Sequence, residues 1–212
     1  MTWIGCFGLI ALFACQAIER SSGPNYLFYL HGGIVSHQGD LAVSPYYGVY
    51  LYQDILDSLA SRGFEVISEI RPADIDEVDY AKQLVQQINR LKQLGVASDQ
   101  IHIVGASLGA YIALETAILL DGPAIQYALL GLCSDYAVGY FSDFRQDITG
   151  TILSIYEASD QKGSCAAVFL PGEGDYTFQE VQVNTGLDHG FLYQPYPEWL
   201  DPLTGWLHQK SE

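Results

Sequence analysis

Positive charge is what this chain has least of: nine Lys and Arg stand against 25 Asp and Glu in 212 residues, a formal net charge of −16. A surface that acidic repels phosphate backbones, so nucleic acid is excluded as a partner. Lys and Arg form no run anywhere, which removes the usual means of docking on anionic lipid headgroups. Long apolar runs are missing as well. An uncharged opening, Met1–Ala17, holds an apolar segment from Trp3 to Ala14 that is too short to span a bilayer. No integral membrane span is therefore expected. Internal repeats and low-complexity tracts are also lacking, which excludes solenoid and linker-like architectures.

What is present in the opening segment suits the core of a signal peptide, with Ala14 or Ala17 as the cleavage position. The expected location is exported, either periplasmic or secreted. Leu12-Phe13-Ala14-Cys15 resembles a bacterial lipoprotein box, so a lipid anchor at Cys15 is an alternative. A buried N-terminal helix or strand in a cytoplasmic protein is the other reading. Cysteine is sparse, with four in the chain. Removal of the leader leaves Cys133 and Cys165, each following a strand-like run. In an oxidising compartment an even pair favours a bridge, and two buried free thiols are the alternative.

With 49% hydrophobic residues, residues 25–212 can bury the core of one domain. Short apolar runs alternate with longer amphipathic ones, the order expected of an α/β fold with a mainly parallel sheet of about six strands and helices on both faces. Strands are predicted at Tyr26–Leu30, Phe64–Ile70, Ile101–Val104, Ile125–Leu132, Ile152–Tyr156 and Glu180–Asn184. Helices are predicted around Tyr47–Ser61, Tyr80–Leu94, Ala110–Leu120 and Trp199–Gln209, with a helix or small cap between Asp135 and Gly150. Too little chain precedes Tyr26 for extra leading strands.

Gly105-Ala106-Ser107-Leu108-Gly109 lies between the third of these strands and the third helix. In that context a Gly-x-Ser-x-Gly pattern predicts a sharp turn, with the flanking glycines letting the backbone bend and the Ser107 hydroxyl exposed at the sheet edge. The helix N-terminus then aims free N–H groups at the same spot. A serine hydroxyl is a weak nucleophile, so it needs a histidine base and a carboxylate to orient that base. His189 follows the last strand in a Gly-bounded turn and is the expected base. His102 reads as packed in the sheet, and His37 and His208 as surface residues. Asp160, a few residues past the preceding strand, is the expected acid, with Glu157 and Asp135 as fallbacks and Asp188 a solvated neighbour. Gly33, in His31-Gly32-Gly33 at the end of the first strand, and Leu108 are the expected oxyanion donors, while His31 holds that loop by hydrogen bonds. Arg71 would bind a substrate carboxylate or pair with Asp74 or Asp76. Tyr46, Tyr47, Tyr50, Tyr136, Tyr140, Phe141, Tyr193 and Tyr196 form either an aromatic core or a pocket lining.

Taken together, Ser107 in its elbow, Gly33 beside His-Gly, Asp160 and His189 resemble the α/β-hydrolase superfamily, and in particular its small exported bacterial members. The order Ser, Asp, His along the chain is the one associated with that architecture. The resemblance spans about Asn25 to His208, without leading antiparallel strands or a large lid. It implies a carboxylesterase-like serine hydrolase that cleaves a small-molecule ester or thioester through an acyl-enzyme, with no metal or organic cofactor. A peptidase or amidase with the same triad is one alternative. A non-catalytic binding protein on the same fold is another.

Overall fold

The computed structural model describes residues 23–120, 122 and 124–209. The expected leader, Met1–Ala17, and the anchor position Cys15 lie outside the described residues. Eight strands run in chain order as β1 (Asn25–Leu30), β2 (Val43–Ser44), β3 (Gly48–Val49), β4 (Phe64–Ile67), β5 (Ile101–Ala106), β6 (Gln126–Leu130), β7 (Thr149–Glu157) and β8 (Asp175–Val183). Six of them make one sheet in the order β4-β1-β5-β6-β7-β8. Every neighbouring pair in it is parallel, as predicted. Helices α1 (Gly33–Gln38), α2 (Tyr52–Ala60), α3 (Glu77–Gln93), α4 (Leu108–Leu119), α5 (Asp135–Asp143) and α6 (Pro197–Leu207) cover it on both sides.

Two cores lie on opposite faces of the sheet, and the strands alternate between them because successive side chains point opposite ways. In β1, Phe28 and Leu30 join one core with Leu84 and Ile88 of α3, Ile112 of α4 and Phe141 of α5. Leu27 and Tyr29 join the other with Ile55 and Leu59 of α2 and Trp199, Leu203 and Trp206 of α6. All six residues of β5 are buried, and α4 is apolar nearly all round because it lies in the interior behind the central strands.

Several predicted elements shift. The helix expected from Tyr47 begins only at Tyr52. Before it, β2 and β3 form a small antiparallel hairpin, where the Ser44 hydroxyl accepts the N–H groups of Tyr46 and Tyr47, both at 3.2 Å. That local bonding offers the backbone a turn in place of a helix. The helix expected from Tyr80, α3, starts at Glu77, because the Asp76 carboxylate caps the Asp79 N–H at 3.0 Å. Strand β8 begins at Asp175, five residues earlier than the apolar signal at Glu180. It is an edge strand, half of it exposed, so polar residues alternate with Tyr176 and Phe178. Cys133 and Cys165 are joined by a disulfide, and Cys133 also makes an antiparallel bridge with Gly163.

Candidate active site

The elbow is built by close approach of backbones. Ser107 adopts φ +55° and ψ −114° between β5 and α4, a region costly for a residue with a side chain and concentrated at functional sites. Its N–H is held by the Leu130 carbonyl at 2.8 Å. The flanking glycines have ordinary φ. They are needed because a Cβ on Gly109 would overlap the Leu30 carbonyl, and one on Gly105 would overlap the Gly109 carbonyl. This corrects the sequence expectation: the serine itself takes the strained conformation, and the glycines let β1, β5 and α4 touch.

Ser107 Oγ lies 2.9 Å from His189 Nε2, and His189 Nδ1 lies 2.5 Å from Asp160 Oδ2. The carboxylate only accepts, so the Nδ1 proton points to it and Nε2 is free to accept the serine proton. Three side chains from the ends of β5, β7 and β8 thus stand in contact order. Burial raises the Asp160 pKa, but the His189 hydrogen bond, the Lys162 N–H and the nearby Lys162 charge outweigh it and hold the carboxyl below its usual value. Asp160 stays ionised beside the imidazole.

The rival acids lie elsewhere. Glu157 is buried and spends its oxygens on Ser159, Thr185 and Gly186. Asp135 sits exposed in the first turn of α5. Asp188 is more than the expected solvated neighbour: it is half-buried, adopts φ +53°, and accepts the His189 N–H at 2.8 Å. It fixes the backbone of the histidine rather than its ring.

The other expected features divide. Gly33 opens α1 and Leu108 opens α4, and a Cβ on Gly33 would lie 3.4 Å from the Leu108 side chain, so the two helix N-termini converge next to Ser107. His31 is fully buried, with Nδ1 donating to the Gly32 carbonyl at 2.9 Å and Nε2 accepting the Arg71 N–H at 3.1 Å. Burial, aided by the Arg71 charge, lowers its pKa to about 4, so it is a neutral brace for the loop. Arg71 neither faces solvent nor pairs with Asp74 or Asp76. It is buried, donates to the His31 carbonyl, and lies 5.5 Å over the Tyr80 ring. His102 is buried in β5 against the edge of Phe64, and His37 and His208 are exposed.

Among the aromatics, Tyr50 and Tyr193 line a pocket with Gly32, Gly33, Ser107 and His189. Phe141 is core, whereas Tyr46 and Tyr136 are exposed. One residue escaped the sequence reading altogether. Lys162 Nζ donates to Ser107 Oγ at 2.9 Å, the same oxygen that His189 Nε2 meets. Its signal was faint but real: one of only nine cations in the chain, two residues after the acid.

The parallel sheet, its helices and the strand-turn-helix elbow define an α/β-hydrolase fold. SOBER1 of Arabidopsis thaliana is similar at TM-score 0.53 and 15% identity, over 87% of this chain and 98% of its own. Est1E from Butyrivibrio proteoclasticus, solved with ferulic acid bound, aligns at TM-score 0.53 and 12% identity over 88% of this chain and 89% of its own. A 2,6-dihydroxy-pseudo-oxynicotine hydrolase aligns at TM-score 0.53 and 14% identity over 89% of this chain and 61% of its own. No family model matches the sequence, and neither does any curated protein.

Proposed function

We propose that the chain is a serine hydrolase that cleaves a small carboxylic ester or thioester through an acyl-enzyme. The observation that carries this reading is the unbroken chain from Ser107 Oγ through His189 to the Asp160 carboxylate. Ser107 attacks the acyl carbon while Nε2 takes its proton, and Asp160 stabilises the imidazolium that forms. The imidazolium then protonates the departing alkoxide or thiolate. Water, activated by the same nitrogen, releases the acid. The N–H groups of Gly33 and Leu108 receive the tetrahedral oxygen, and one such donor contributes about 3 kcal/mol to the transition state. A structural neighbour that bears the name hydrolase and another that holds a carboxylic acid support the same class. The pocket beside Ser107 is bordered by Tyr50, Leu192 and Tyr193, which suits a small apolar acyl or alcohol group. The disulfide supports an oxidising, exported location.

Wild-type protein should be labelled at Ser107 by a fluorophosphonate and should turn over short acyl esters, whereas Ser107→Ala should do neither. Undiminished labelling of the variant rejects the assignment.

A further inference from the structure

The acyl-transfer steps above make no use of Lys162, although its ammonium touches the nucleophile. Nζ carries three donors. Among the described residues its one hydrogen-bond acceptor is Ser107 Oγ, and no carboxylate lies within ion-pair distance of it. Burial pulls its pKa below the usual lysine value, with the Asp160 charge opposing. A half-buried cation with a single neutral acceptor is electrostatically unfinished.

The backbone that carries this side chain is held at three points. The Lys162 N–H donates to Asp160 Oδ1 at 3.0 Å, Gly163 pairs with Cys133, and Cys133 is bonded to Cys165. The lysine therefore rides on the same short, cross-linked loop as the acid. The opening it borders is lined further by Leu108, Tyr111, Leu132, Ser134 and Tyr136, with no second charge of either sign. In a protein of net charge −16, Lys162 is thus the one charged side chain lining this opening.

We infer that Lys162 is a specificity-determining residue, and that the substrate of Ser107 is an ester or thioester whose acyl portion carries a carboxylate a few bonds from the scissile carbonyl. The inference rests on Ser107 being acylated as proposed above. The reach follows from geometry: Oγ becomes bonded to the acyl carbon, and a carboxylate oxygen pairs with an ammonium at about 2.8 Å, so the charged group sits close along the acyl chain. The acyl portion is singled out because it stays attached to Oγ after the leaving group has gone. Without substrate, the ammonium draws on the serine lone pairs that must attack. A substrate carboxylate gives it a better acceptor and frees Oγ, with no proton changing hands.

The test compares kcat/KM for monomethyl succinate and for its uncharged isostere, methyl 4-methylpentanoate, in wild type, Lys162→Met and Lys162→Arg. Wild type should favour the anionic ester, and the preference should fall about 10- to 100-fold in Lys162→Met and return in part in Lys162→Arg. Slowing of fluorophosphonate labelling by each ester compares their binding directly, without relying on turnover, and should show the same order of preference. A ratio that survives Lys162→Met, or an equal loss on both esters, overturns the lysine assignment while labelling at Ser107 leaves the hydrolase reading standing. Failure of wild type to label at all brings down both.

Discussion

Glu157 Oε2 accepts both the backbone N–H and the hydroxyl of Thr185, at 2.7 and 2.6 Å. This pair ties the end of β7 to the turn after β8. The other oxygen, Oε1, takes the Ser159 N–H and hydroxyl and the Gly186 N–H. One strand of the knot leads to Asp160 and the other to His189. Burial raises the Glu157 pKa, but the Thr185 and Ser159 donors outweigh it and keep the group ionised.

Glu157→Gln should therefore loosen the site without touching it. An amide turns its own donors toward N–H and O–H groups, which costs about 1 to 3 kcal/mol for the donors left unmatched. Urea unfolding should show a lower midpoint, accompanied by a fall in kcat as the Asp160 to His189 distance relaxes. An unchanged midpoint would refute the bracing role.

Asp160→Asn should lower kcat about 10³- to 10⁴-fold, because the neutral amide favours the wrong imidazole tautomer and leaves the imidazolium unsupported. Asp135→Asn, on the exposed first turn of α5, should leave turnover nearly unchanged. Steady-state kinetics on a short acyl ester separates them, and comparable losses in the two variants would reject Asp160 as the orienting acid.

Two glycine substitutions should act in opposite directions. Gly109→Ala drives a methyl group into the Leu30 carbonyl, and overpacking of this kind costs about 3 kcal/mol or more. Gly139→Ala, in α5 with open space around its Cβ, should add about 0.5 to 1 kcal/mol through helix propensity. Thermal melts read both, and a tolerated Gly109→Ala would contradict the contact that forms the elbow.

Acid should destabilise the fold in two stages. His31 and His102 are held neutral by burial, each with its pKa lowered to about 4 from 6.5. Between those values the unfolded chain binds more protons, so unfolding free energy falls as pH drops from about 6.5 to 4, by about 1.4 kcal/mol per pH unit for each histidine. Above that window they contribute no slope. Asp160 and Glu157 have lowered pKa values, so their contribution is present above the ordinary carboxylate range and is lost as pH falls below it. Urea titrations across pH should show His102→Leu flattening the upper stage by about one proton's worth. An identical slope would exclude His102 as a source.

Local sequence determined a good deal here. Alternation of apolar runs made the parallel sheet and its two cores legible, since strand and helix periodicities act over a few residues. That Ser107 and His189 each follow a strand, with several carboxylates past the strands between them, was readable from the spacing of the apolar runs. The start of the polar edge strand β8 and the turn at Ser44 were missed, because there the backbone is set by hydrogen bonds and not by a buried apolar face.

Tertiary structure alone decided which of three carboxylates meets the imidazole, that Arg71 turns inward to the His31 carbonyl, and that Lys162 reaches Ser107. Each outcome depends on where separate loops meet above the sheet, which is set by strand order and, for the loop carrying Asp160 and Lys162, also by the cross-link between Cys133 and Cys165. Propensity and spacing along the chain carry no information on such distances, because contacts across many tens of residues form only once the packed layers have fixed the loop ends.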